Sequence, residues 1–155
     1  MPRLDAAECR RRFAGARHAY LATTRDDGAP HVVPVTFALV LPAGEGGDPG
    51  EIVTAVDHKP KTTGALQRLR NLAARPRAAV LADLYDDDWS RLWWVRADGT
   101  TTTEDPAEGA PATARGLAAL ADRYPQYRER PPAGPVVRVR VERWTGWEAA
   151  TRAAR

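Results

Sequence analysis

With 155 residues, 28% of them charged and a formal net charge of +3, the chain has the length of one domain (1–155) and enough apolar content for one core. Its arginines are spread along the chain rather than gathered in a tail, which disfavours nucleic acid as a partner. No stretch approaches the roughly 20 apolar residues that span a membrane, and the first residues, MPRLDAAECRRRF, lack the apolar run of a secretory signal, so a cytoplasmic protein is expected.

Residues 4–15 read as a short amphipathic helix. Asp5 is the expected N-cap, with Glu8 as its capping-box partner and Leu4 and Cys9 as a hydrophobic staple. Cys9 is the only cysteine, so no internal disulfide can form, and it is expected to be packed. His18, His31 and His58 show no zinc-ligand spacing, and no metal site is expected. HAYLATT (18–24) reads as a strand, Asp26-Asp27-Gly28 as a turn, and His31 to Leu41 as a second strand completing a hairpin. Pro34 cannot donate to a ladder, so the second strand is expected to lie at an edge or to carry a bulge. A bulge would offer backbone groups to a planar ligand; a plain edge strand is the other reading.

PAGEGGDPG (42–50) is a loop on its Gly and Pro density, and EIVTAVD (51–57) a third strand. The next stretch, DHKPKTTGALQRLRN (57–71), contains both lysines of the chain, Lys59 and Lys61; every other strong base is arginine. Two compact ammonium groups just before a helix N-terminus suit an anion, because free N–H groups and the helix dipole favour negative charge there. A phosphate site and a solvated basic loop both fit this spacing. The helix begins near Thr62 or Thr63, with Leu66, Leu69 and Ala73 expected on its apolar side. Gly64, Arg68, Asn71 and Arg75 form a polar stripe opposite, reaching back to Lys61.

Pro76 ends that helix. AAVLADLY (78–85) reads as a buried strand from its apolar run, and Asp86-Asp87-Asp88 as a turn leading to Trp89. RLWWVRADGTTTT (91–103) reads as a long strand kinked at Asp98-Gly99. Adjacent Trp93 and Trp94 must point to opposite faces, so one fills a core while the other needs separate cover, from a ligand or a second chain. Residues 104–112 read as a loop, 111–124 as a third helix, 124–135 as a Pro-rich connection, and VVRVRVERW (136–144) as a half-buried antiparallel strand. The sum is six strands and three helices, a mainly β (α+β) fold in which a small antiparallel barrel carries helices outside.

No nucleophile elbow, HExxH pattern or GxGxxG fingerprint is present. A phosphate-type site beside tryptophans suits a cofactor that brings its own reactivity. Four blocks carry a resemblance: LATT-turn-P-x-V-x-P-V (21–35), DHKPKTT…LQRLRNLAARP (57–76), VLADLYDDDWSRLWWVRADG (80–99) and RWTGWEA (143–149). On these the chain resembles the pyridoxamine 5′-phosphate oxidase-like flavoproteins, and within them the branch that uses the deazaflavin coenzyme F-420.

The resemblance implies a six-stranded split β-barrel and a homodimer with two cofactor sites at its interface. It implies that Lys59, Lys61 and Asn71 hold the cofactor phosphate, with Thr62 as a hydroxyl donor beside them and His58 in the same stretch. The backbone of His31, Val33, Pro34 and Val35 would lie along the flavin-like ring. Trp89 would approach from the partner chain, and Arg68 is a further candidate for the cofactor. It also implies hydride transfer between the reduced deazaflavin and a small electron-poor substrate, with no obligate side-chain acid, so no catalytic residue is named. An FMN-dependent oxidase or reductase on the same fold and a non-catalytic cofactor carrier are the alternatives.

Overall fold

The computed structural model describes residues 3–41, 49–56 and 63–149. Seven strands form one antiparallel sheet: β1 (Ala19–Thr24), β2 (Pro30–Val35), β3 (Ala38–Val40), β4 (Glu51–Ala55), β5 (Arg77–Leu84), β6 (Trp93–Glu104) and β7 (Val136–Glu148). Four helices flank it: α1 (Ala6–Gly15), α2 (Thr63–Ala74), α3 (Pro111–Arg123) and α4 (Pro125–Glu129). The strand order is β2-β1-β5-β6-β7-β4-β3.

That order dictates the shape. β2 and β3 are the two edges, yet only Thr36 and Phe37 separate them in the chain. A flat seven-stranded sheet would hold its edges roughly 29 Å apart, at about 4.8 Å per strand. Val35 to Ala38 spans at most about 11 Å. The sheet therefore curls until its edges meet, giving a barrel parted at the β2–β3 corner. No helix among the described residues is long and apolar enough to cross a membrane.

The seventh strand corrects the six expected. The run 31–41 is two strands, because Phe37 turns the chain inward between them. Its ring is fully buried, 4.7 Å from that of Phe13, which in turn meets Trp144 edge-on at 5.3 Å. The Phe37 backbone N–H donates to the Tyr124 hydroxyl at 3.1 Å, and Thr36 Oγ1 lies 2.7 Å from the Tyr127 hydroxyl. These tyrosines sit around α4, a helix inside what reads as a Pro-rich connection. Pro125 fits its first turn, where no N–H is needed.

Local chemistry explains the rest. Asp5 caps α1 by accepting from the Glu8 N–H at 2.8 Å, and Cys9 is buried against Leu4 and Gly146. The Glu8 carboxylate does not complete a capping box: it turns to Arg11 and Arg12, accepting from the Nε of each at 2.8 and 2.9 Å. Gly28, at φ 85, closes the β1–β2 turn. The register of β1 against β2 runs without interruption from Ala19↔Val35 to Thr24↔Pro30, so Pro34 lies in a plain edge strand and not at a bulge.

The kink at Asp98-Gly99 is a register shift against β7, where Glu142 is the extra residue. A Cβ on Gly99 would meet the Arg140 carbonyl oxygen at 2.2 Å, which is why glycine stands there. β7 buries Val137, Val139 and Val141 on one face, as its alternation requires, and runs on to Glu148 along the start of β6. Inward residues of β1, β2, β5, β6 and β7 form the main core, and a second cluster around Val53, Leu120 and Tyr127 lies under α3.

Glu8 has an acid-stability consequence. Its hydrogen bonds with Arg11, then Arg12, lower its pKa from 4.5 to about 2. Hydrogen bonds from Thr113 and Arg138 lower Glu104 as well. A carboxylate held below its unfolded value adds stability that is complete above that value and lost as pH falls through the folded one. Melting temperature should therefore decline from pH 4.5 toward pH 2, and the Glu8→Gln variant should lose less over that window than the wild type. Parallel declines would exclude Glu8 from the effect.

Candidate functional site

Among the described residues edge strand β2 is paired only with β1, so along its free side every second residue offers backbone N–H and C=O groups to a ligand, Pro34 lacking the N–H. His31, Val33 and Val35 share its inner face, while Val32 (59% exposed) and Pro34 point outward. Val33 and Val35 pack into the core. His31 lies at the turn end, where its Nδ1 is buried without a hydrogen-bond partner among the described residues. Burial, and after it the positive charges of Arg25 and Arg68, pushes the His31 pKa down, keeping the ring neutral near pH 7. The end of β2 beside α2 is therefore a cationic, partly desolvated place.

α2 packs across β1 and β6. Its inward side carries Leu69 and Leu72, whereas Ala73, expected on the apolar side, is exposed. Two residues of the polar stripe, Asn71 and Arg75, reach the β1–β2 hairpin. Asn71 is 2% exposed; its Nδ2 donates to Thr23 Oγ1 at 3.0 Å, and its Oδ1 accepts from Gln67 Nε2 at 2.8 Å. Arg75 donates to the Asp26 carbonyl at 3.1 Å. Both polar atoms of Asn71 are thus bonded inside the protein, where they hold the helix against β1. His58, Lys59, Lys61 and Thr62 lie outside the described residues.

Trp89 stands apart from this group. It opens the short 3-10 turn Trp89–Arg91 and is 72% exposed. The turn is braced. Asp88 accepts from the Ser90 N–H at 3.0 Å and its hydroxyl at 2.7 Å, and Asp86 pairs with Arg91 at 3.0 Å. Two of the three aspartates are thereby used in shaping the loop, and no metal-ligating cluster exists among the described residues. In one protomer Trp89 lies beyond the Leu84 end of β5. The register puts His31 level with Thr23 and hence with Ala78, at the opposite end, roughly 20 Å away at about 3.4 Å per residue. The structure brings together His31, Arg68 and Asn71, and leaves Trp89 away from them.

Sequence reasoning missed the outer face of β2-β1-β5-β6. It is an open groove of about 480 Å³ lined by Tyr20, Ala22, Val32, Leu81, Trp94 and Arg96, with Ala79 and Asp83 completing it. The run 78–85 is not buried on both sides. Ala78, Val80 and Ala82 face the core, but Leu81 is 36% exposed. Because both faces of this strand carry apolar residues, the run reads as buried; the charges at Arg77 and Asp83 were the available signal. The two tryptophans do part as expected: Trp93 packs on the core, and Trp94 lines the groove with the Arg96 guanidinium 5.9 Å from its ring.

Residues 6–148 match the family profile described as pyridoxamine 5′-phosphate oxidase. The chain belongs to this family. No curated protein matches the chain significantly. Among solved structures of similar fold is a FAD-binding protein from Mesorhizobium loti, with 20% identity, 96% of this chain and 98% of that chain covered, and a TM-score of 0.67. A FAD-binding protein from Mycobacterium smegmatis has 17% identity, coverage of 95% and 97%, and a TM-score of 0.58. A heme-binding protein from the same organism has 23% identity and a TM-score of 0.69, with 98% of this chain but 57% of that chain covered. At these identities the likeness is one of fold.

Proposed function

We propose that the protein is a coenzyme F-420-dependent oxidoreductase, working as a homodimer, that passes a hydride between the deazaflavin and a small electron-poor molecule. The observation that carries the reading is the free edge of β2 beside α2, with the orphaned Nδ1 of His31 and the charges of Arg25 and Arg68 at its end. A planar cofactor with an anionic arm fits that arrangement, since edge backbone groups hydrogen-bond a ring while cations receive the arm. FAD-binding proteins of the same fold support a flavin-type ligand, and the four sequence blocks favour the deazaflavin.

In this reading Lys59, Lys61 and Thr62 hold the phosphate at the start of α2, with His58 beside them. The His31–Val35 backbone lies along the ring. Asn71 serves the site by fixing α2 on β1, and Arg68 by its charge. The cofactor, when bound, supplies the redox chemistry; the protein orients it and excludes water with the apolar groove. Trp89 comes from the partner subunit.

Paired fluorescence titrations of the purified protein with coenzyme F-420 and with FMN test this. Micromolar or tighter binding of the deazaflavin, with FMN much weaker and Trp89 emission responding only in the dimer, is expected. The reverse order of affinities would make the protein an FMN enzyme. Tight binding without turnover across many acceptors would make it a carrier.

A further inference from the structure

Among the described residues β2 is paired along one side only, so its course depends on β1 and on the two ends of the hairpin. At the turn end, the Arg25 N–H donates to the Ala29 carbonyl at 2.9 Å. In an antiparallel pair the bonded partners then recur at every second residue, here Thr23 with His31, Leu21 with Val33 and Ala19 with Val35. The next such pair in this register is Arg17 with Phe37, and the ladder stops before it. The Phe37 N–H donates instead to the Tyr124 hydroxyl at 3.1 Å, and that hydroxyl donates to the Arg17 carbonyl at 2.9 Å. One phenol oxygen thus stands where a backbone bond of the ladder would be, accepting from one strand end and donating to the other.

The surrounding chain holds the phenol there. Pro125 disfavours helical geometry at the residue before it, and Tyr124 is extended, with φ −117 and ψ 112. Helix α3 therefore ends, and Tyr124 stands at its joint with α4. Arg123, its neighbour, spans the same two segments: it donates to the Ala14 carbonyl at 2.6 Å, and its guanidinium lies 4.6 Å from the centre of the Phe37 ring. Tyr127 also reaches the corner, but through the Thr36 side chain and not through the backbone.

We propose that Tyr124 is a positioning residue for the cofactor: its hydroxyl ends the β1–β2 ladder at Ala19 and Val35 and so fixes the course of the edge strand along which the ring is laid. Without that oxygen the Phe37 N–H and the Arg17 carbonyl lose their common partner, and only side-chain contacts hold this end of β2. Val33 and Val35, the bonded residues nearest that end, are among those whose backbone follows the ring in the proposed function. The inference rests on that reading and adds a residue that acts on the cofactor through β2.

Tyr124→Phe removes the oxygen and keeps the ring; Tyr127→Phe is the matching change at the other phenol. Two measurements on the full chain read the effect. In native-state hydrogen exchange followed by NMR, Tyr124→Phe should speed exchange at Val33, Val35 and Phe37 by about tenfold or more beyond any change at Val95 of β6 and Val139 of β7. A role in overall stability alone would speed all of these amides alike. In fluorescence titration, coenzyme F-420 (or FMN, if the wild type prefers it) should bind Tyr124→Phe about three- to tenfold more weakly than wild type, and Tyr127→Phe within about twofold of it. Uniform acceleration, no acceleration, or an affinity equal to that of a binding wild type would overturn the positioning role. The same exchange pattern in Tyr127→Phe would assign the effect to the corner as a whole and overturn the assignment to Tyr124. A wild type that binds neither coenzyme would overturn the proposed function instead, and the exchange pattern would still decide whether Tyr124 sets β2.

Discussion

Replacing Lys59 and Lys61 together by alanine is expected to weaken cofactor binding by about 2–4 kcal/mol, roughly 30- to 1,000-fold in dissociation constant. These are the only lysines in a chain whose other strong bases are all arginine. They stand just before α2, whose first N–H groups and dipole already attract an anion. Each ammonium that makes a charge-assisted bond to a phosphate contributes about 1.5–3 kcal/mol, and the two losses overlap because the phosphate is shared. Arg70→Ala, an exposed change on the same helix, should leave affinity within about twofold and serves as the control. Titration of the double variant with coenzyme F-420 decides the matter: unchanged affinity would remove the phosphate from this stretch.

Phe37→Ala should destabilise the protein by about 3–5 kcal/mol, the usual cost of deleting a fully buried aromatic ring. For a chain of this size that lowers the melting temperature by roughly 6–20 °C. Phe37 occupies the two-residue corner where the sheet edges meet, with Phe13 at 4.7 Å and the Arg123 guanidinium over its ring at 4.6 Å. Its removal empties the clasp of the barrel and loosens β2, the strand that borders the candidate site. Phe37→Leu, which refills most of the volume, should cost less than half as much. Calorimetry of both variants separates the two expectations, and an alanine variant melting within 2 °C of the wild type would show that the corner does not hold the barrel.

Several elements were legible because their causes are local. Asp5 three residues before Glu8 makes a cap, Asp27-Gly28 makes a turn, and the valine alternation of 137–141 makes a half-buried strand. Gly99 marks the break in register from its own position, and the parting of Trp93 from Trp94 follows from the pleat. Pro34 narrowed its strand to an edge or a bulge, because a missing N–H is tolerated at either, and the uninterrupted register decided for the edge.

Other features depend on residues far away in the chain. The split of 31–41 into β2 and β3 is decided by Phe13, Tyr124, Tyr127 and Trp144, none of them near Phe37 in sequence. Asn71 reads as part of a polar helix face, but Thr23, 48 residues earlier, gives its amide a buried partner. The outer row of β5 was hidden because alanine and leucine on its exposed face resemble core residues, and only the sheet order shows that no other described residue of the same protomer covers them. The sequence by itself thus determined the family, the strands and helices with strong local signals, and the lysine pair at the head of α2. Tertiary structure alone decided that the sheet closes on itself, that His31 ends up beside Arg68 and Arg25, and that Trp89 stands at the far end of β5. Long-range register and burial settle those questions, and no short window of residues encodes them.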